Sequence, residues 1–302
     1  MFAALLTTLL WTCSSIASAQ TARRLGGPTA NRSRLMIAIV LLCIWAAWDG
    51  LTGGTMAWWF VLSGALGLGL GDWCLFCAYE RLGARLPALF THCLAAPLGA
   101  LLEWAWLGNA LTLHEALSMA IILLGVLVAL APDQRPPVAD SPRRFWVGCA
   151  FGVGSACGLA LAAVTSRQGY AAAIAAGQPM PWVDAAFWRN SGGLAVMLAG
   201  IPVGLAARHV TRRLVREGSG RDWRGAWPWL IATALAGPTI GVACYQLALS
   251  QAKAGVVQAV LALIPLLVIP LTWLVEGDRP TRRSLIGGAL AVSGVVWLVL
   301  GR

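Results

Sequence analysis

Asp72 is the side chain in this sequence best placed to do chemistry, because it follows Gly67-Leu68-Gly69-Leu70-Gly71 well inside an apolar run. An ionisable group in such surroundings is costly and marks a functional site by default. A carboxylate there can bind a coupling proton or the cationic part of a solute; it can equally be bonded to a neighbouring helix or to backbone loosened by the glycines. His92 reads as a proton relay near neutral pH or, more commonly, as a hydrogen-bonded packing residue. Glu103 stands near the end of the run that holds His92, where reaching the headgroups accounts for it. Glu80 and Arg81 read as solvated, and Asp49, Asp184 and Arg189, at run edges, as headgroup-facing. Tyr245, Gln246 and Gln258 offer hydroxyl and amide groups that read a polar solute or hold helices together.

Other chemistries lack their residues. Cys74 and Cys77 form a C-x-x-C pair with no second pair or histidine at zinc spacing, so neither a metal site nor a cofactor is expected. His92, His114 and His209 are scattered, and H-E-x-x-H, G-x-S-x-G and G-x-x-x-x-G-K-[ST] are absent, which argues against an enzyme and against ATP hydrolysis by this chain. The glycine run follows no strand and reads as a close helix contact rather than a nucleotide loop.

The elements that must position these residues follow from composition. Of 302 residues, 59% are hydrophobic and 11% charged, against roughly 45–50% and about 25% in a soluble domain. Such a chain has too little polar surface to face water, and the bilayer is its natural solvent. Ten apolar stretches near the length of a spanning helix can be laid out at 2–18, 35–53, 57–79, 86–107, 113–131, 145–166, 182–206, 226–248, 254–275 and 284–300. All must be helical, since an open strand edge leaves backbone unsatisfied in lipid. The expected fold is therefore an all-α polytopic protein of the cell (inner or plasma) membrane, with the lipid bilayer and a small-molecule substrate as partners.

The chain also reads as one unit used twice: residues 1–131, a Pro-rich connection at 132–144, and residues 145–302. Trp104 to Leu130 aligns without gaps on Trp273 to Val299, pairing Gly108 with Gly277, Asn109 with Asp278, Thr112 with Thr281, and Gly125-Val126 with Gly294-Val295. Arg34 and Arg189 likewise fall near the starts of helices 2 and 7. Five helices per unit is odd, so the second unit enters the membrane in the opposite sense. Inverted five-helix repeats rocking about a shared site are a recurring device of secondary transporters.

These residues resemble the EamA-type members of the drug/metabolite transporter superfamily over nearly the whole chain. Trp11-Thr12 stands where that family often has Trp-Gly, and Gly277-Asp278-Arg279-Pro280-Thr281 is similar to its Gly-Glu-Arg-Leu-Thr turn. The first unit has Gly108-Asn109-Ala110-Leu111-Thr112 there, without the acidic and basic members. The resemblance implies a permease or exporter of a small organic solute or metabolite, with protons as a candidate coupling ion. It also implies a central cavity among helices 1, 3, 4, 6, 8 and 9. Trp11, Ser14, Ser15, Asp72, His92, Ser155, Tyr245 and Gln258 are the expected wall residues. A lipid-carrier flippase on the same fold and a non-transporting membrane subunit are the rival readings.

The net charge of +10 is distributed for topology rather than for nucleic acid, which is not expected as a partner. All of the 22 cations except Arg167, Arg189, Lys253 and Arg302 fall in odd-numbered loops. Cationic loops stay cytoplasmic, so both termini face outward, whereas the family habit places them inside. Trp58, Trp59, Trp104, Trp106, Trp182, Trp188, Trp223, Trp227 and Trp229 cluster at span ends as an aromatic belt does, while Trp11 and Trp45 lie deeper. Ala17-Ser18-Ala19 resembles a signal-peptidase site, but no basic segment precedes the apolar run and a retained first helix is expected. Asn31-Arg32-Ser33 fits a glycosylation acceptor by chance, on an expected loop.

Overall fold

The structure is a computed structural model and describes residues 1–51, 54–130, 142–206, 222–276 and 282–300. The turn Gly277 to Thr281, most of the Pro-rich connection and the Arg208 to Arg221 cluster lie outside the described residues. So do the repeat pairings that involve Gly277, Asp278 and Thr281.

Helices follow in order: α1 (Phe2–Leu25), α2 (Gly27–Asp49), α3 (Ala57–Leu82), α4 (Arg85–Leu107), α5 (Leu113–Leu130), α6 (Pro142–Ala175), α7 (Trp182–Ala206), α8 (Trp223–Gln251), α9 (Ala254–Leu261 continued by Ile264–Glu276) and α10 (Arg282–Leu300). Among the described residues six segments are long and apolar enough to cross a membrane: Phe2–Leu25, Gly27–Trp48, Ala57–Leu82, Leu86–Leu107, Pro142–Ala175 and Trp223–Gln251. Leu113–Val128, Ala254–Ile269 and Ile286–Leu298 are shorter apolar helices.

Polarity is distributed as lipid requires. Val40, Trp48, Leu113 and Leu300 are exposed on the outside, whereas Thr8, Arg34, Glu103, Arg189, Asn190 and Gln258 are buried inside. A water-soluble protein buries the first kind and exposes the second.

Several expected boundaries are corrected. α1 continues beyond residue 18 to Leu25 and stops at Gly26, whose φ of 81° only glycine adopts readily. Pro28 then opens α2, a position where its missing N–H costs nothing, so Asn31 and Arg34 are helical rather than on a loop. Asn31 is fully buried and its Nδ2 donates to Leu68 O at 3.0 Å, so the apparent glycosylation acceptor is a packing residue. α6 runs unbroken for 34 residues. These segments were read as loops because they carry polar residues, yet those residues find partners inside the bundle.

α3 and α8 share a feature that composition does not announce: each contains a π-helical segment, Ala65–Gly71 and Leu235–Thr239. The offset from Ala65 to Leu235 is one residue more than the offset that aligns Trp104 on Trp273. Widening the turn frees backbone carbonyls, and an asparagine meets one in each case. Asn31 of α2 donates to Leu68, the fourth residue of the first segment; Asn190 of α7 donates at 2.8 Å to Pro238, the fourth of the second.

Packing relates the same helices. α5 lies along α10, α6 lies against α3 and α4, and α1 lies against α8 and α9. Gly125 and Gly294 both sit at the α5–α10 contact: a Cβ at Gly125 would overlap the Ala291 backbone, and one at Gly294 would come within 3.0 Å of the Ile122 nitrogen. Small residues that let backbones approach are the usual means of joining membrane helices.

Candidate functional site

The π segments face a central cavity with about 550 Å3 of unfilled space, counting the part open to the exterior. Its wall takes Trp11, Ser14, Ser15 and Ser18 from α1, Arg34 from α2, Gly67, Leu68, Asp72, Leu75 and Tyr79 from α3, and Thr91 and His92 from α4. The opposite wall takes Ser155 and Leu159 from α6, Arg189 from α7, and Gly237, Pro238 and Val242 from α8. The cavity thus lies where helical geometry is locally widened, a common setting for functional sites.

Of the expected wall residues, Trp11, Ser14, Ser15, Asp72, His92 and Ser155 line this space. Tyr245 and Gln258 stand behind it. The Tyr245 ring packs on Trp11 with centroids 4.9 Å apart, and Gln258 Nε2 donates to Tyr245 Oη at 2.8 Å. α9 therefore supports the wall from behind, and α2 and α7 take a place in it through their arginines.

Arg34 and Arg189 were not expected at the site. Arg34, 5% exposed, forms an ion pair with Asp72, donates from Nε to Asn31 Oδ1 at 3.0 Å, and lies 4.6 Å above the Phe76 ring centroid. Among the described residues Asp72 is the only carboxylate lining the cavity. Its local partner is thus a fixed cation, which the sequence reading did not place beside it.

Arg189 is fully buried, not headgroup-facing. Its Nη1 donates to Ser63 Oγ at 2.7 Å and to Ser166 Oγ at 3.3 Å, and its guanidinium sits 5.1 Å from the Tyr245 ring centroid. Glycines make this possible. Gly64 admits the α7 backbone and Gly67 leaves room for Nη2, so the glycine run does form a close helix contact, in a π rather than an α conformation.

The remaining wall groups are mutually bonded hydroxyls and aromatic rings. Thr91 Oγ1 donates to Ser155 Oγ at 3.1 Å, Ser14 and Ser18 both meet Thr233 Oγ1, and the His92 ring packs 5.9 Å from Trp11 with Nδ1 lacking a partner among the described residues. Ser18, from the sequence that resembles a cleavage site, is thus buried in mid-helix. Among the described residues of the wall no nucleophile is bonded to a base. The arrangement suits recognition of a charged or polar solute.

Two further carboxylates, read from the sequence as solvated or headgroup-facing, tie helices together beyond the cavity. Glu80 accepts from the Gly27 N–H, and its own carbonyl accepts from Arg144 Nη2 at 3.0 Å. Glu103, 1% exposed, accepts from the Ala254 N–H, from Arg167 Nε at 3.2 Å and from Asn109 Nδ2 at 3.4 Å. Arg81 and Asp184 are buried as well, at 9% and 5% exposure. Polar groups at span edges were assigned to the interface by position along the helix, when the face they occupy decides. Of the tryptophans, Trp58, Trp104, Trp106, Trp182, Trp223 and Trp227 are exposed, as a belt requires, and so is Trp45.

Comparison with known families settles what kind of fold encloses this cavity. The model of the EamA-like transporter family matches residues 1–131 and 146–300. The chain belongs to that family, and so to the drug/metabolite transporter superfamily. It is an integral membrane protein of transporter type. A solved crystal structure, 17% identical, aligns over 99% of this chain and 96% of its own with a TM-score of 0.73; at that identity the likeness concerns the fold alone. No curated protein matches the sequence.

Proposed function

We propose that this EamA-like chain is a secondary transporter of a small organic solute, working by alternating access between two inverted five-helix repeats. The repeats comprise residues 1–131 and 145–302, joined through 132–144, and ten spans cross the bilayer. The observation that carries the reading is a cavity of buried arginines, a carboxylate and hydroxyls, walled by helices of both halves and bordered by the two π segments. Charged groups in mid-membrane that face a cavity rather than lipid mark a substrate or ion pathway, and discontinuous helices at the interface of two repeats are the usual place for one. The paired asparagine bonds to Leu68 and Pro238 support the two-fold relation, as does the match of one family's model to both halves.

Asp72 is the candidate proton carrier, with Arg34 as the cation that competes for it. Purified protein in proteoliposomes should move a subset of a panel of organic acids, amines, amino acids and neutral metabolites faster than protein-free vesicles. Asp72→Asn should insert, at a cost in stability from the stranded Arg34 that Arg34→Gln relieves, and lose dependence on a proton gradient. Flux indistinguishable from protein-free vesicles for the whole panel, from correctly folded protein, would reject the reading.

A further inference from the structure

We infer that the solute held in this cavity is an organic monoanion with an apolar body, its carboxylate bound by Arg189. This rests on the transporter reading for its biological meaning but not for its chemistry.

Arg189 has an exposure of 0%, and among the described residues no carboxylate lies within ion-pairing distance of it. The hydroxyls of Ser63 and Ser166 engage Nη1 alone, and Nε has no partner. A buried guanidinium without an anion is costly, and removing its charge is not open to arginine. Its unengaged edge carries Nε–H and Nη2–H, the pair of parallel donors that matches a carboxylate. Nη2 lies over Gly67, where a Cβ would come within 2.9 Å, and Gly67 itself lines the cavity. Arg189 lines it too, so the guanidinium borders the space a solute would fill.

Charge sets the valence. Among the described residues the wall holds two cations, Arg34 and Arg189, and one anion, Asp72, which Arg34 already engages. One positive charge is left over. A carboxylate balances it; a dianionic phosphate overshoots, and a zwitterion or neutral amide leaves it uncompensated. The rest of the wall determines the body of the solute, because Trp11, Tyr79, Leu75, Leu159 and Val242 present rings and branched chains that bind apolar groups better than sugar hydroxyls.

The test uses four matched probes on the purified full-length protein: phenylacetate, phenylacetamide, phenylphosphonate and phenylalanine. Phenylacetate should raise the melting temperature in a saturable way and the other three should do so at least about tenfold more weakly, the order expected for losing one charge-assisted bidentate contact. Arg189→Gln should abolish the preference for phenylacetate over its amide. Should that variant fail to fold, Arg189→Lys, which keeps the charge but not the fork, should weaken phenylacetate binding while leaving the amide unchanged. Equal binding of acid and amide, retention of the preference in the folded variants, or no saturable shift with phenylacetate would overturn the inference. Flux of uncharged solutes without carboxylate preference would sink the anion site and leave the transporter standing; carboxylate binding without any flux would do the reverse.

Discussion

Gly64 of α3 lies against the backbone of Arg189 in α7, so close that any Cβ at residue 64 would overlap the Arg189 carbonyl. The contact fixes how near α7 can approach and hence where the buried guanidinium sits. Gly64→Ala must push the helices apart, and overpacking of this kind costs about 1–3 kcal/mol. The expected outcome is a lowered melting temperature in detergent, whereas Gly200→Ala, where a Cβ would meet nothing, should leave it unchanged.

Arg34 and Asp72 hold each other in a setting where each is mostly shielded, at 6% and 18% side-chain exposure. Removing one partner strands the other charge, which costs about 3–5 kcal/mol, whereas removing both is far milder. Arg34→Gln should therefore destabilise the protein strongly, and adding Asp72→Asn should restore much of the loss. A double-mutant cycle on thermal or denaturant unfolding checks this; additive losses would show that the pair does not act as a unit.

Asn31 and Asn190 answer the carbonyls of Leu68 and Pro238 in the two π segments. Asn31→Leu or Asn190→Leu leaves a buried carbonyl without that donor, at about 1–3 kcal/mol each. Hydrogen exchange should rise locally at 65–71 in the first variant and at 235–239 in the second, and not at both in either. Exchange rising across the whole protein in both would refute local capping.

On the reading that the arginine-rich odd loops stay cytoplasmic, both chain ends are expected to face outward. A C-terminal tag should then react with impermeant reagents in intact cells. Protection of the tag until the cells are opened would favour the inward placement usual for the family.

The all-helical, membrane-spanning character of the chain was legible in the sequence because lipid imposes so strict a pattern, and Gly125 and Gly294, paired there by spacing, both lie at the α5–α10 contact. The arginines at the cavity were not. Arg34 was read as a loop residue because the second apolar stretch was drawn from residue 35, and Arg189 as a headgroup contact because of its place early in a span. The face of α3 was illegible for a physical reason. Gly67 and Asp72 are five positions apart, which in an α-helix turns their side chains about 140° away from each other, yet both line the cavity across the π segment. An Asn-x-x-Arg spacing, as in Asn31 and Arg34, is the signal that could have exposed one of the missed residues, since it puts both on one face of a helix.

Helix α6 is built as a rod held at two points. It is unbroken over 34 residues, so Arg144, bonded to the Glu80 carbonyl, and Arg167, bonded to the Glu103 carboxylate, stand roughly 35 Å apart on one rod at 1.5 Å per residue. Near its midpoint Gly158 rests on Gly71, a fulcrum of bare backbone. The 23 positions between them turn the two arginines about 140° apart around the axis, so the latches hold the rod from nearly opposite sides, and a tilt about that point would press both home or slacken both.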